Sequence, residues 1–220
     1  MAQTAIRPFA SLTLESFLDA LASPEPAPGG GSAAAVAAAL GASLVAMVAT
    51  LSADRAAYAA FAATHQRTGM AGRELAQRLV RLADEDALAY GRFAAAMKLP
   101  RATDDQKTAR TTAIREAARA AAEVPMRTLE ACREVLTAAE ALAGRSNRNA
   151  ASDLAVTSRI VEASAHGAAE NVRVNLASLG DADAAAVLDG RVASLLVEVE
   201  VLAESTRAYV ESGELREPEA

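Results

Sequence analysis

Apolar residues along this chain recur at spacings of three and four, the period of a helix face. The first such stretch covers residues 12–22. Phe17, Leu18 and Leu21 form its apolar side, with Ser11 or Thr13 as its cap. Three prolines and three glycines in SPEPAPGGGS then break the pattern. A second helix is expected from there to residue 52. Its larger residues, Val36, Leu40, Leu44, Met47, Val48 and Leu51, fall on one stripe, which reads as its buried face. A third covers 54–97, patterned by Leu75, Leu79, Leu82, Leu88 and Phe93 and weakened near Gly69 and Gly72. Lys98-Leu99-Pro100 stops it, because a residue before proline is pushed out of helical geometry.

Thr103, with Gln106 three residues on, forms a capping box for a fourth helix reaching residue 142. Pro125 inside it is expected to kink or split it. Gly144 ends it, and the loop GRSNRNAASD leads to a fifth helix ending near residue 178. Leu179-Gly180-Asp181 is a stop and a new cap. The last helix reaches residue 210, and the tail SGELREPEA is expected to fray. No segment alternates like a strand. The pattern predicts an all-α, single-domain bundle of five or six long helices over residues 1–220, with its core at about 12–210.

Composition sharpens this picture. Hydrophobic residues make up 52% of the 220, yet aromatics are only 3% and Trp is absent. Alanine supplies much of the apolar count, so close helix packing is expected. A net charge of −6 lacks the basic footprint of a nucleic-acid binder. The single cysteine, Cys132, cannot form an internal disulfide and reads as a buried structural thiol. The start shows no basic segment followed by an apolar core and cleavage site. Residues 29–53 carry no charge and have the length of a membrane span, but they are mostly Ala, Gly and Ser. They read as the central helix of a soluble bundle, and a cytoplasmic protein without membrane contact is expected.

Three constellations carry candidate chemistry. Pro28-Gly29-Gly30-Gly31-Ser32 precedes a helix. It is either a connector capped by Ser32 or a binding turn whose glycines admit unusual backbone angles and a close neighbour. It lacks the lysine of a phosphate-binding loop. In DEDALAY, Asp86 lies near Leu79, Leu82, Ala89 and Tyr90 on the apolar face. Burial raises a carboxyl pKa toward the range of a general acid or base. Asp84 and Glu85 point elsewhere and read as solvated. Asn147, Ser152 and Asp153 form the third group, followed by Asn171 and Asn175 on one helix face. Such amides either face a heterocycle or satisfy each other between helices. His65 and His166 have no metal-ligand spacing, and no metal site is expected.

PAPGGGSAAAVAAALGASLVAMV, DEDALAY, MKLP, Ala122-Glu123-Val124-Pro125, SNRNAASDLAV and GAAENVRVNL occur in an order that resembles the cyclodeaminase/cyclohydrolase family. This family comprises the C-terminal half of formiminotransferase-cyclodeaminase and its stand-alone bacterial relatives. The resemblance covers nearly the whole chain. It implies an all-α homodimer acting on a tetrahydrofolate derivative as substrate, with no separate cofactor. The activity implied is formimidoyltetrahydrofolate cyclodeamination to 5,10-methenyltetrahydrofolate and ammonia. The alternative is methenyltetrahydrofolate cyclohydrolysis to 10-formyltetrahydrofolate, and a non-catalytic folate-binding or structural dimer is a third reading. The family's catalytic aspartate corresponds to Asp86. Gly29, Gly30, Gly31, Ser32, Lys98, Asn147, Ser152, Asp153, Asn171 and Asn175 match recurrent positions and are the candidate substrate-binding residues. Two positions depart from the family pattern, Ser146 where a glycine is common and His166 where relatives carry an apolar residue. The resemblance is to the cyclodeaminase half alone, and a handover of substrate is expected to involve a separate formiminotransferase.

Overall fold

The computed structural model describes residues 8–218. The first seven residues, part of the segment read for a leader, and the last two of the tail lie outside it. The described residues form six α-helices: α1 (Leu14–Leu21), α2 (Gly30–Ala53), α3 (Ala62–Met97), α4 (Asp104–Leu142), α5 (Ala151–Leu176) and α6 (Ala182–Ser212). Neighbours α2–α3, α3–α4, α4–α5 and α5–α2 close a four-helix ring, and α6 packs on α4 and α5. Thr13, Thr103 and Asp181 accept backbone N–H groups as N-caps, and the Thr103–Gln106 capping box is formed.

Several expectations change. Residues 56–61 form a separate 3₁₀ turn, so α3 starts at Ala62 rather than 54. Gly72 does not interrupt α3. A Cβ there would lie 2.8 Å from the carbonyl oxygen of Ala42, so it is the place where α2 and α3 touch backbone to backbone. Pro125 neither splits α4 nor ends it; the helix runs through. α6 extends to Ser212, where Gly213 adopts a left-handed φ of 63°. The tail after it docks: Arg216 donates its N–H to Gly144 O at 2.8 Å, pairs with Glu140 at 2.7 Å and covers the Tyr209 ring.

The stripe on α2 is buried only in part. Ala35, Ala38, Ala42, Val45, Val48 and Ala49 face the core, Val36 and Leu44 are half-buried, and Leu40, Met47 and Leu51 are exposed, Leu40 by 57%. The reason is steric. α2 is held by α3, α5 and α4, and only small side chains allow so close an approach on several sides. Among the described residues α2 is the one helix long and apolar enough to cross a membrane, and thirteen of its residues are buried in the bundle. Cys132 is fully buried, which pushes its thiol pKa up to about 12.

α3 is 36 residues long and α2 only 24. The α3–α4 hairpin therefore projects past the start of α2. The step where α2 begins leaves one side of that hairpin uncovered, and a cleft opens there.

Candidate active site

The cleft has a volume of about 350 Å³ and is walled by the start of α2, the middle of α3, Ala121 of α4 and the end of α5. Gly29, Gly30, Gly31, Asp86, Asn171 and Asn175 line it together, with Tyr90, Phe93, Val174 and Ser178 further out.

Asp86 and the α2 start are in direct contact. A Cβ on Gly31 would lie 2.6 Å from the carboxyl carbon of Asp86, closer than carbon atoms can pack. Gly31 is therefore required for space. None of Gly29, Gly30 and Gly31 has a positive φ, so the unusual angles expected of this turn are not used. The contact puts Ser32 over the acid. The Ser32 hydroxyl donates to Asp86 Oδ2 at 3.0 Å and to Ala83 O at 2.9 Å, and the Ser32 backbone N–H also bonds the carboxylate.

Burial raises the Asp86 pKa above the ordinary carboxylate value, and the two bonds from Ser32 oppose the rise. The positive end of the α2 dipole acts in the same direction as those bonds. Ser32 has one proton and two acceptors. With Asp86 ionised, Ser32 donates to it. With Asp86 protonated, the acid can donate to Ser32, which keeps its bond to Ala83 O. Both protonation states are thus satisfied, as proton shuttling demands.

The asparagines are set by backbone carbonyls. Asn171 Nδ2 donates to Gly167 O at 2.8 Å. Asn175 Nδ2 donates to Asn171 O at 2.8 Å and to Ala121 O at 3.2 Å. Carbonyls only accept, so these partners fix each amide's orientation. Each Oδ1 is left as an acceptor without a bond to the described residues. Ala121 O is available because of Pro125. In a regular helix the residue-125 N–H would donate to it, and proline has none. The proline expected to break α4 instead supplies the anchor for a cleft residue.

Other candidates lie elsewhere. Lys98 is exposed at the end of α3, about 18 Å along that helix from Asp86, and does not line the cleft. Asn147 donates its N–H to Ser52 Oγ at the far end of α2, about 30 Å from Ser32 along the helix axis. Its Oδ1 caps its own turn by accepting from Asn149 N. Ser152 and Asp153 begin α5, whose other end carries Asn171 and Asn175. One straight helix cannot bring its two ends to one cleft, so the structure separates this group from Asp86 within the chain. Asp84 and Glu85, expected to be solvated, hold the fold: Asp84 accepts the Phe9 N–H at 2.7 Å and Glu85 pairs with Arg127 at 2.5 Å. His65 is buried and bonds Arg145 O, while His166 is half exposed near Glu200. Tyr90 and Phe93 were legible only as apolar pattern. Their spacing from Asp86, i+4 and i+7, is the signal that puts them on its face.

Fold and site together define an all-α protein with a small-molecule cleft built around a single half-buried acid. Its sequence matches the formiminotransferase-cyclodeaminase family over residues 13–194. It is 38% identical over 169 residues to the methenyltetrahydrofolate cyclohydrolase of Methylorubrum extorquens, covering 77% of this chain and 81% of that protein. It is 33% identical to the formimidoyltransferase-cyclodeaminase of Rattus norvegicus, over 87% of this chain but 35% of that longer protein. The fold is that of a formiminotetrahydrofolate cyclodeaminase from Thermotoga maritima, with a TM-score of 0.84 at 24% identity over 92% of this chain and 98% of that one. The chain belongs to the formiminotransferase-cyclodeaminase family, and it is an enzyme of the cyclodeaminase or cyclohydrolase type found there.

The Ser32 hydroxyl bond lowers the Asp86 pKa, so its loss in Ser32→Ala raises it further. The acidic limb of the pH–rate profile is expected to move to higher pH. A limb that stays in place or moves down would show that it does not report Asp86.

Proposed function

We propose that this enzyme works on the one-carbon bridge between N5 and N10 of tetrahydrofolate, and that its reaction is the hydrolysis of 5,10-methenyltetrahydrofolate to 10-formyltetrahydrofolate. The observation that carries the choice is the likeness to the Methylorubrum cyclohydrolase, which extends over most of both chains. Asp86 has a role at each step. Its carboxylate takes a proton from water as the oxygen bonds to the bridge carbon. It returns that proton to N5 as the carbon–N5 bond breaks, and the remaining hydroxyl proton goes to solvent as the formyl group forms. General acid–base catalysis of this kind contributes about 10²–10⁴-fold in rate. The Oδ1 atoms of Asn171 and Asn175 suit the N–H donors of a reduced pterin, and the Gly29–Gly31 backbone lets the ring lie close to the acid.

The second reading is cyclodeamination of 5-formimidoyltetrahydrofolate. It has the support of the likeness to the rat enzyme and uses the same carboxyl to protonate departing ammonia. Both reactions involve methenyltetrahydrofolate, so its absorbance separates them. Purified enzyme is expected to deplete methenyltetrahydrofolate far faster than buffer does and to form little of it from the formimidoyl substrate. Rapid formation from the formimidoyl substrate would replace the first reading with the second. Turnover of neither would reject both.

The assembly we propose is a homodimer. Its support is the outward apolar stripe of Leu40, Met47 and Leu51 beside Ala76 and Val80 of α3, which a second copy would cover. Sedimentation is expected to give twice the chain mass for the wild type and the chain mass for Leu40→Glu. An unchanged dimer in that variant would put the interface elsewhere.

A further inference from the structure

The chain has only seven aromatic residues, four Phe and three Tyr, and five of them have structural work. Phe9 and Phe17 pack edge to face in the core with centroids 5.3 Å apart. Phe61 is buried against His65. The Tyr58 hydroxyl accepts the Arg148 N–H at 3.1 Å. The Tyr209 ring lies 3.9 Å beneath the Arg216 guanidinium. Tyr90 and Phe93 are the two left over. Neither has a ring partner, and the Tyr90 hydroxyl has no hydrogen bond among the described residues. Both line the Asp86 cleft. Tyr90 is 44% exposed.

Their placement is regular. Asp86, Tyr90 and Phe93 follow one another on one face of α3, with the rings about 6 and 10 Å along the helix from the acid. Across the cleft stand Val174, itself 71% exposed, and Ser178. Among the described residues neither wall at this level carries a carboxylate, ammonium or guanidinium group. The result is an uncharged, largely apolar part of the cleft that starts beside the carboxyl and opens to water.

We propose that Tyr90 and Phe93 form the binding surface for the aminobenzoyl ring of the folate, an inference that rests on the folate reading above. The reduced pterin is puckered in its saturated ring and has a polar edge, which suits Asn171 and Asn175. The aminobenzoyl ring is the fully aromatic part of the molecule and is attached at N10, one of the reacting atoms. Stacked on Tyr90, it leaves the charged glutamate at the open end of the cleft, in water. Aromatic contact then holds N10 beside Asp86.

Ligand-observed NMR titration of the whole enzyme with two fragments tests this, using p-aminobenzoyl-L-glutamate and 6-methyltetrahydropterin separately. Tyr90→Leu is expected to weaken the benzoyl fragment about tenfold and leave the pterin fragment within about twofold. Tyr90→Phe should keep both near wild type, and Phe93→Leu should repeat the Leu effect in smaller size. In turnover, Tyr90→Leu should raise KM and also lower kcat, because the ring both binds the substrate and positions N10. Unchanged benzoyl binding in Tyr90→Leu, no benzoyl binding by the wild type, or an equal loss of the pterin fragment would overturn the assignment. Absence of turnover in the wild type with either folate would instead count against the folate reading, and fragment binding is measured independently of it.

Discussion

The cleft depends on the contact between Gly31 and Asp86. A helix start and the side of another helix meet there with no room for a methyl group. That closeness gives the acid two donors from Ser32 while removing most of its water. Burial and donation pull its pKa in opposite directions, and burial prevails. A side chain at position 31 would displace the Asp86 carboxyl, the group it would meet, from its place beside Ser32. Small residues serve the same end along the rest of α2. Gly72 seats α3 against it, and its alanines face inward, so the register that places Ser32 above Asp86 is held along the length of the helix.

A second constraint sets the opposite wall. Pro125 removes one hydrogen bond from α4 and leaves the Ala121 carbonyl for Asn175. The amide is thereby oriented with its NH₂ toward backbone and its oxygen unbonded. The carbonyl that the proline leaves free is taken up across the helix interface, and α4 continues through the proline. One wall thus offers a proton carrier held by Ser32, and the other offers acceptors oriented by backbone carbonyls. The outer part of the cleft has no such polar fixing and is shaped by Tyr90, Phe93 and Val174 instead.

Much of this was legible in the sequence, for local reasons. Helix periodicity placed Asp86 on an apolar face and Asn171 with Asn175 on one side of α5, because faces follow from spacing alone. The capping box at Thr103 and the stops at Pro100 and Gly144 follow from backbone chemistry of single residues. What failed needed knowledge of neighbours. The large residues of α2 were read as its buried face, but a helix enclosed by others buries mainly its small residues: Val48 is buried as expected, while Leu40, Met47 and Leu51 turn outward. Asn147, Ser152 and Asp153 looked like cleft residues until the straight length of α5 separated them from Asn171. The role of Pro125 was invisible because the acceptor it frees is used by a residue 54 positions away from that acceptor. Asp84 and Glu85 looked solvated because their partners, Phe9 and Arg127, are distant in sequence.

Asp86 is the residue on which function and stability pull in opposite directions. Its raised pKa means that the folded chain holds the proton more tightly than the unfolded one. The associated stability is present at low pH and is lost as pH rises through the raised value. At neutral pH the ionised acid is therefore a cost to the fold. The most direct measurement is a comparison of Asp86→Asn with the wild type in turnover of methenyltetrahydrofolate and in thermal melting at neutral pH. The expected result is a rate lower by at least about 100-fold with a Tm that is unchanged or higher. Near-normal turnover in the variant would contradict the assignment of the chemistry to this residue.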